Sequence, residues 1–340
     1  MSRFNVLSFA LAAVVLTGPA VADPVADFYR GRTLSMVIGV SVGGDYDRRA
    51  RLIARHMGRH IPGSPTIVPT NMPGGGGLLA ANWLANIAPR DGTAMLMIAQ
   101  NLAVVQAIGT PSAKFDVRKF FWLGGTTDTP NVINSWHTTG IRTVQDVMQR
   151  ELVVGATGIG SGSYYYPAAL NALAGTKFKI VSGYPGGNEA NLAMERGETG
   201  GRGSNSWASW KSTRPQWLAE KKIHMLVQIA LKRDPELKDV PLMQELAKSE
   251  SDAKVLTFLS ADISIARSVV TTPEVPAPRV AALRQAFAAA MKDPEFLAEA
   301  EKMKMDLSVA TGAQAQAVAA SIVDTPPDIV ARAKAILQGR

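Results

Sequence analysis

The chain of 340 residues is 46% hydrophobic and 19% charged, which supplies apolar material for about two packed domains and excludes a disordered tail. Its formal charge of +8 suits anionic partners, while the absence of cysteine excludes disulfides, thiolate-bound metals and a lipid anchor on cysteine. No dense Lys/Arg tract with interleaved aromatics occurs, so nucleic acid is not an expected partner and most of the basic charge reads as solvated surface.

In chain order, Arg3, the apolar stretch Val6 to Leu16 and the small-x-small triplet Ala20-Val21-Ala22 form an export signal over residues 1–22, cleaved after Ala22. The apolar stretch is shorter than the roughly 20 residues of a spanning helix. A soluble protein in the periplasm is therefore expected. Leu34 to Val40 reads as a buried strand, and Gly43-Gly44 as a turn that leads into a helix. Ala50, Ile53, Ala54, Met57 and Ile61 mark the apolar stripe of that helix, and Arg48, Arg49, Arg51, Arg55 and Arg59 are expected in water. A strand at Thr66 to Val68, a glycine-rich turn from Asn71 to Gly77, a helix carrying Leu79, Trp83 and Ile87, and a strand at Ala94 to Ala99 follow. This alternation predicts a parallel sheet with right-handed crossovers.

A second set of units begins near residue 131. Its strands are Val132 to Trp136, Leu152 to Ala156, Phe178 to Ser182 and His224 to Ile229, with helices centred on Val147, Leu170 and Leu192 between them. Ser260 to Thr272 is a further strand candidate. Val280, Leu283, Phe287 and Met291 define an amphipathic helix closed by Asp293-Pro294, and a last helix starts at Pro326-Pro327. The fold class is α/β.

Three glycine-rich loops join strands to helix starts: Ser41 to Asp47, Asn71 to Gly77 and Thr157 to Ser163. Ligands of open α/β sheets bind at such carboxyl ends, where free N–H groups and the helix dipole favour anions by about 0.3–2 kcal/mol per helix end. Gly39-Val40-Ser41-Val42-Gly43 also matches the nucleophile elbow of serine hydrolases, with His137 or His224 as the base. It lies on the first strand, without upstream room for an oxyanion loop, so a hydrolase using Ser41 is the lesser reading. Gly155 to Gly160 resembles a dinucleotide-binding turn but has no acidic residue about 20 positions on. His56 and His60 have zinc-compatible spacing, yet among arginines they read as a solvated helix face. Met95, Met97, Trp207 and Trp210 read as packing residues.

Four ordered segments resemble the solute receptors of tripartite tricarboxylate transporters, the Bug-type receptors. Gly43-Gly44-Asp45-Tyr46-Asp47 with Ala50-Arg51-Leu52 is similar to the family's Pro-Gly-Gly-Gly-Thr-Asp loop and helix. Asn71-Met72-Pro73-Gly74-Gly75-Gly76, followed by Ala88 to Gly92, is similar to its Asn-Arg-Pro-Gly-Ala-Gly segment. Gly158-Ile159-Gly160-Ser161 with Ser182 to Gly187 matches its Gly-x-Gly-Ser loop, and Thr272-Pro273 with Val280, Leu283 and Asp293 to Phe296 completes the set.

The resemblance implies a two-lobed type 2 periplasmic-binding-protein fold, each lobe a mainly parallel sheet flanked by helices, with the ligand in the cleft. Lobe 1 would combine residues 24–130 and 260–340, and lobe 2 residues 131–259. Carried over, the ligand contacts from lobe 1 are Ser41, Gly43, Gly44, Asp45 and Tyr46, with Gln100 and Asn101. Lobe 2 would supply Thr157, Gly158, Gly160, Ser161 and Ser163, and then Tyr184, Gly186 and Ser204. Gln100, Tyr184 and Ser204 rest on position in the fold. The implied activity is capture of a small organic acid for the transporter's membrane subunits, by a monomer without catalytic residues, metal or cofactor. An orphan receptor serving a sensor kinase is the variant reading.

Two departures stand out. Ser41-Val42 replaces the family's paired prolines, and Asp45 replaces a glycine where an anion would approach. Asp45 is expected to cap the following helix. Pairing with Arg48 or Arg49, or facing the cleft to select a cationic group, are the alternatives.

Overall fold

The computed structural model describes residues 23–338, so the export signal expected over residues 1–22 lies outside the described residues. The strands run, in chain order, β1 (Thr33–Ile38), β2 (Thr66–Asn71), β3 (Ala94–Ile98), β4 (Phe121–Gly125), β5 (Asn131–Trp136) and β6 (Leu152–Ala156). After them come β7 (Phe178–Ser182), β8 (Gly201–Ser206), β9 (Ile223–Ile229), β10 (Ser268–Thr271) and β11 (Ala310–Thr311). They form a six-stranded sheet ordered β11-β4-β10-β3-β1-β2 and a five-stranded sheet ordered β7-β6-β8-β5-β9.

Most strands of each sheet run one way, with β10 and the short edge strand β11 reversed in the first sheet and β5 reversed in the second. β10 is antiparallel to both β3 and β4, and β5 is antiparallel to both β8 and β9. The reversal has a topological cause. β5 follows the crossing segment 126–130 and β10 follows the crossing segment 261–267, so each begins at the cleft where the other strands end.

β3 is buried along its whole length because both faces are covered. Its alternate side chains join different cores: Met95 and Met97 pack outward with Leu34, Met36, Ile53 and Phe287, while Leu96 and Ile98 face a core continuous with Val154 and Val227 of the second sheet. Val132, Trp136, Trp210 and Trp217 pack on the far face of the second sheet. The last helix, Pro327–Leu337, lies against the helices Gly162–Ala174 and Glu250–Ser260. Among the described residues no helix is long and apolar enough to cross a membrane.

The expected strand Ser260 to Thr272 is corrected. Ser260 ends the helix Glu250–Ser260, Ala261–Ile265 is a 3-10 turn, and only Ser268–Thr271 pairs. β8, with the sequence Gly-Arg-Gly-Ser-Asn-Ser, was not among the expected strands. Its two glycines have a steric reason: a Cβ on Gly203 would collide with the Ser163 carbonyl, and one on Gly201 with the Asn134 carbonyl.

Candidate ligand-binding site

The carboxyl ends of β1, β3 and β6 and the strand β8 converge on a cavity of about 110 Å³ between the two sheets. The loop after β1 and the first turn of helix Asp45–Met57 bring Ser41, Gly44, Asp45 and Tyr46 to it, and the end of β3 brings Gln100 and Asn101. Thr157, Ser161 and Ser163 enter from the loop after β6, and Ser204 from β8.

The other five expected residues do not line this cavity. Gly43 turns the chain at φ +86° and donates its N–H to Asp47 Oδ2 at 2.8 Å. Gly186 packs on Ser41, whose Oγ a Cβ there would strike. Gly158 and Gly160 approach the 74–77 loop of the first sheet, where a Cβ on Gly158 would lie 3.2 Å from the Gly76 nitrogen. Tyr184 and Gly158 border a neighbouring groove of about 540 Å³, which shares Val40, Gly76 and Thr157 with the cavity.

Hydrogen bonds cross the cleft. Ser41 Oγ donates to Glu189 Oε2 at 2.9 Å, Asn101 Nδ2 to the Gly160 carbonyl at 2.8 Å, and Arg48 to the Ser212 carbonyl at 2.9 Å. The hydroxyl of Ser41 thus has a carboxylate partner, and neither His137 nor His224 lines the cavity.

Asp45 does not cap its helix. Gly44 holds the cap position, and Asp45 is the first helical residue. Its carboxylate is buried and accepts from Arg49 Nε at 3.0 Å and Arg267 Nε at 2.8 Å. Burial would raise this carboxyl, but the two guanidiniums outweigh that and hold it below the ordinary range. The expectation that Arg49 stays wet fails for the same reason: only 1% of it is exposed, and it also donates to the Asp306 carbonyl at 2.9 Å. Arg267 sits at φ +53°, a strained left-handed position, with its guanidinium 4.7 Å from the Tyr46 ring centre.

Asp262 lies in the second crossing segment and accepts from Tyr166 Oη at 2.6 Å, from Tyr165 Oη and from Gln100 Nε2 at 3.4 Å. Burial pushes it up to about 6 despite these donors. It ties helix Gly162–Ala174 to the end of β3.

Asn131, Tyr166, Arg202 and Arg267 line the cavity without having been expected there. Arg267 had a visible signal, the lone cation in Ser260 to Thr272, and Arg202 another, an arginine between two glycines. Arg202 differs from the remaining buried arginines. It has no carboxylate in ion-pair contact among the described residues; one nitrogen donates to Asn191 Oδ1 at 3.0 Å, and its buried Nε has no partner. Burial, reinforced by Arg267 and Arg214, pushes it down to about 9, so it stays charged at neutral pH.

His56 and His60 are not a solvated face. His56 Nε2 meets Glu299 and His60 Nε2 meets Asp293, each at 2.7 Å. Donor atoms of His56, Asp293 and Glu295 cluster within 4.8 Å of one another, and the Arg59 guanidinium reaches all three. An arginine therefore takes the place a cation would need.

BugD, a periplasmic binding protein, superposes with a TM-score of 0.68 at 20% identity, over 87% of this chain and 95% of its own. MatC from Rhodopseudomonas palustris, solved with bound malate, gives 0.66 at 22% identity over 90% and 99%. A TctC solute-binding protein from Polaromonas gives 0.59 at 20% identity over 92% and 100%. The chain has the two-lobed fold of the Bug and TctC periplasmic binding proteins. By sequence, no protein-family model and no curated protein matches it. The cavity lies between the two sheets, and its electrostatics follow from what has been described. The charge of Asp45 is spent on Arg49 and Arg267, and that of Arg202 remains available. Such a cleft can hold one compact anionic group.

Proposed function

We propose that the chain is an extracytoplasmic receptor that captures a small organic anion, a carboxylate, and presents it to the membrane subunits of a tripartite tricarboxylate-type transporter. The observation that carries this reading is Arg202, a buried cation on the wall of the cavity with no carboxylate in ion-pair contact among the described residues. An unpaired buried charge is costly, and an incoming carboxylate supplies the missing counter-charge. The bound malate of MatC, a protein of the same fold, fits this chemistry.

In this reading residues 24–130 with 260–340 form one lobe and 131–259 the other, with the last helix reaching across. The lobes hinge at the crossing segments and close on the ligand. Ser41, Gly44, Tyr46, Gln100, Asn101, Thr157, Ser161, Ser163 and Ser204 act in binding, as does Arg202. The protein works as a monomer and performs no catalysis.

The test is a thermal-shift series with mono-, di- and tricarboxylates and amino acids. A ligand at 100 times its Kd adds about 2.7 kcal/mol of stability. Stabilisation by carboxylates that is lost in Arg202→Gln supports the receptor reading; a series in which no carboxylate stabilises the wild-type chain overturns it.

A further inference from the structure

The loop after β1 meets the turn before helix Gly187–Glu195 across the cleft, and two hydrogen bonds join them directly. Ser41 Oγ donates to Glu189 Oε2 at 2.9 Å, and Asn188 Nδ2 donates to the Val42 carbonyl at 3.3 Å. Glu189 stands in the first turn of its helix, where the macrodipole favours a carboxylate. The fit between the two segments is close. Gly186 has φ −167°, extended backbone open to any residue, so conformation does not explain its missing side chain. A Cβ there would lie 2.0 Å from Ser41 Oγ and 3.1 Å from Ser41 Cβ, and one on Gly43 would lie 2.7 Å from Asn188 Nδ2.

The contact sits beside the cavity. Ser41 and Gly187 both line it, and a Cβ on Gly187 would lie 2.7 Å from a guanidinium nitrogen of Arg202. Glu189 does not line it, and Ser41 is the one hydrogen-bond partner of its carboxylate among the described residues. The carboxylate therefore acts on the opposite loop. We propose that Ser41 and Glu189 form a latch, a lobe-to-lobe hydrogen bond that slows the opening through which a captured anion leaves. The anion rests on the receptor reading above; the latch does not pass through it. A hydroxyl-to-carboxylate bond is charge-assisted and stronger than a neutral one. Both groups are half-buried, so water replaces the bond when the lobes part, and its worth appears as slower opening, by about tenfold. Glu189 is in this role a positioning residue.

The test needs no ligand. The chain has no cysteine, so Ile87→Cys and Leu192→Cys, both at exposed positions, give the full mature chain a clean pair of fluorophore sites. Ile87 ends a helix packed on β3 and Leu192 lies in a helix packed on β8, so energy transfer between single pairs reads opening and closing. The chain is expected to exchange between a short and a long distance. Glu189→Gln keeps an oxygen that can accept from Ser41, and Glu189→Ala keeps none. Neither is charged, so the change in field at Arg202 is common to both. The alanine variant should open about tenfold faster than the glutamine variant, and in a Ser41→Ala background the two should open at one rate. Equal opening rates with Ser41 present overturn the latch. A difference that survives Ser41→Ala also overturns it, because the alanine then acts through something other than that hydroxyl. So does a distance that stays constant in every variant. With no carboxylate added, each of these failures leaves the anion-receptor reading standing, and a failed thermal-shift series leaves the opening rates readable.

Discussion

Arg267 donates from Nε to Asp45 Oδ2 at 2.8 Å, joining the strand-start of β10 to the first turn of a helix 222 residues earlier in the chain. Both side chains are almost wholly buried, and Arg49 completes the group. Breaking a buried pair from one side strands the other charge, at a cost of about 3–5 kcal/mol. Asp45→Gly restores the glycine of similar receptors, yet it strips the counter-charge from two guanidiniums. Chemical denaturation should show that variant losing several times the ~1 kcal/mol typical of a helix cap. A loss no larger than a cap would sink the buried-pair account. Asp45→Asn combined with Arg267→Gln should recover part of the loss, because Arg267 is then no longer ionised without a carboxylate, although Arg49 still is.

Arg202 predicts an opposite pairing of effects. Arg202→Gln removes a buried cation that has no carboxylate in ion-pair contact among the described residues, so the unliganded protein should be as stable as wild type or more so. Carboxylate binding should weaken by about 2–5 kcal/mol, most of it through faster dissociation. Denaturation and calorimetry on the same preparation separate the two effects. A variant that loses stability and keeps affinity would make Arg202 structural.

Gly160 tests closure. It faces Leu78 Cδ1, 3.2 Å from where its Cβ would lie, and the Gly75 carbonyl at 3.5 Å; it does not line the cavity. Gly160→Val should wedge the lobes apart and weaken binding without touching the ligand, while Gly160→Ala, which asks only a flexible leucine to move, stays within a few-fold of wild type. Solution scattering should show ligand-induced contraction in the wild type and less of it in the valine variant. Equal contraction and affinity in both would make the loop contact irrelevant to closure.

Asp262 gives a signed pH dependence. Its carboxyl is raised to about 6 in the folded protein against 3.8 unfolded. The folded state therefore holds the proton more tightly, and this group's contribution to stability is complete below about pH 4 and is lost as pH rises through about 6. The difference in unfolding free energy between wild type and Asp262→Asn should shrink across that window by on the order of a few kcal/mol. A difference that is flat from pH 4 to 7 would show that Tyr165, Tyr166 and Gln100 keep the carboxylate ionised throughout.

Several elements were legible from local pattern alone. β1, β3, β6 and β7 are apolar runs bounded by turns, and the helix Asp45–Met57 shows its apolar stripe because one face meets the sheet. The loops after β1 and β6 were legible as glycine-rich strand-to-helix joints, where backbone must come close to whatever lies opposite. Those signals need only neighbours in sequence, and they point to the side of each sheet on which the cavity lies. β8 escaped because it has no apolar run, and its glycines Gly201 and Gly203 fit beside the Asn134 and Ser163 carbonyls, a constraint visible only once distant strands are paired. Of the two partners of Asp45, Arg49 was among the alternatives because it lies one helical turn away, whereas Arg267 escaped because it comes from the second crossing of the chain. Arg202 and Asn131 reach the cavity through the antiparallel pairing of β8 with β5, which no local periodicity encodes. Sequence neighbours set the strands, the turns and the glycine loops; long-range pairing decided which buried charges share a carboxylate and which stand without one, because burial and counter-charge depend on what lies across the cleft.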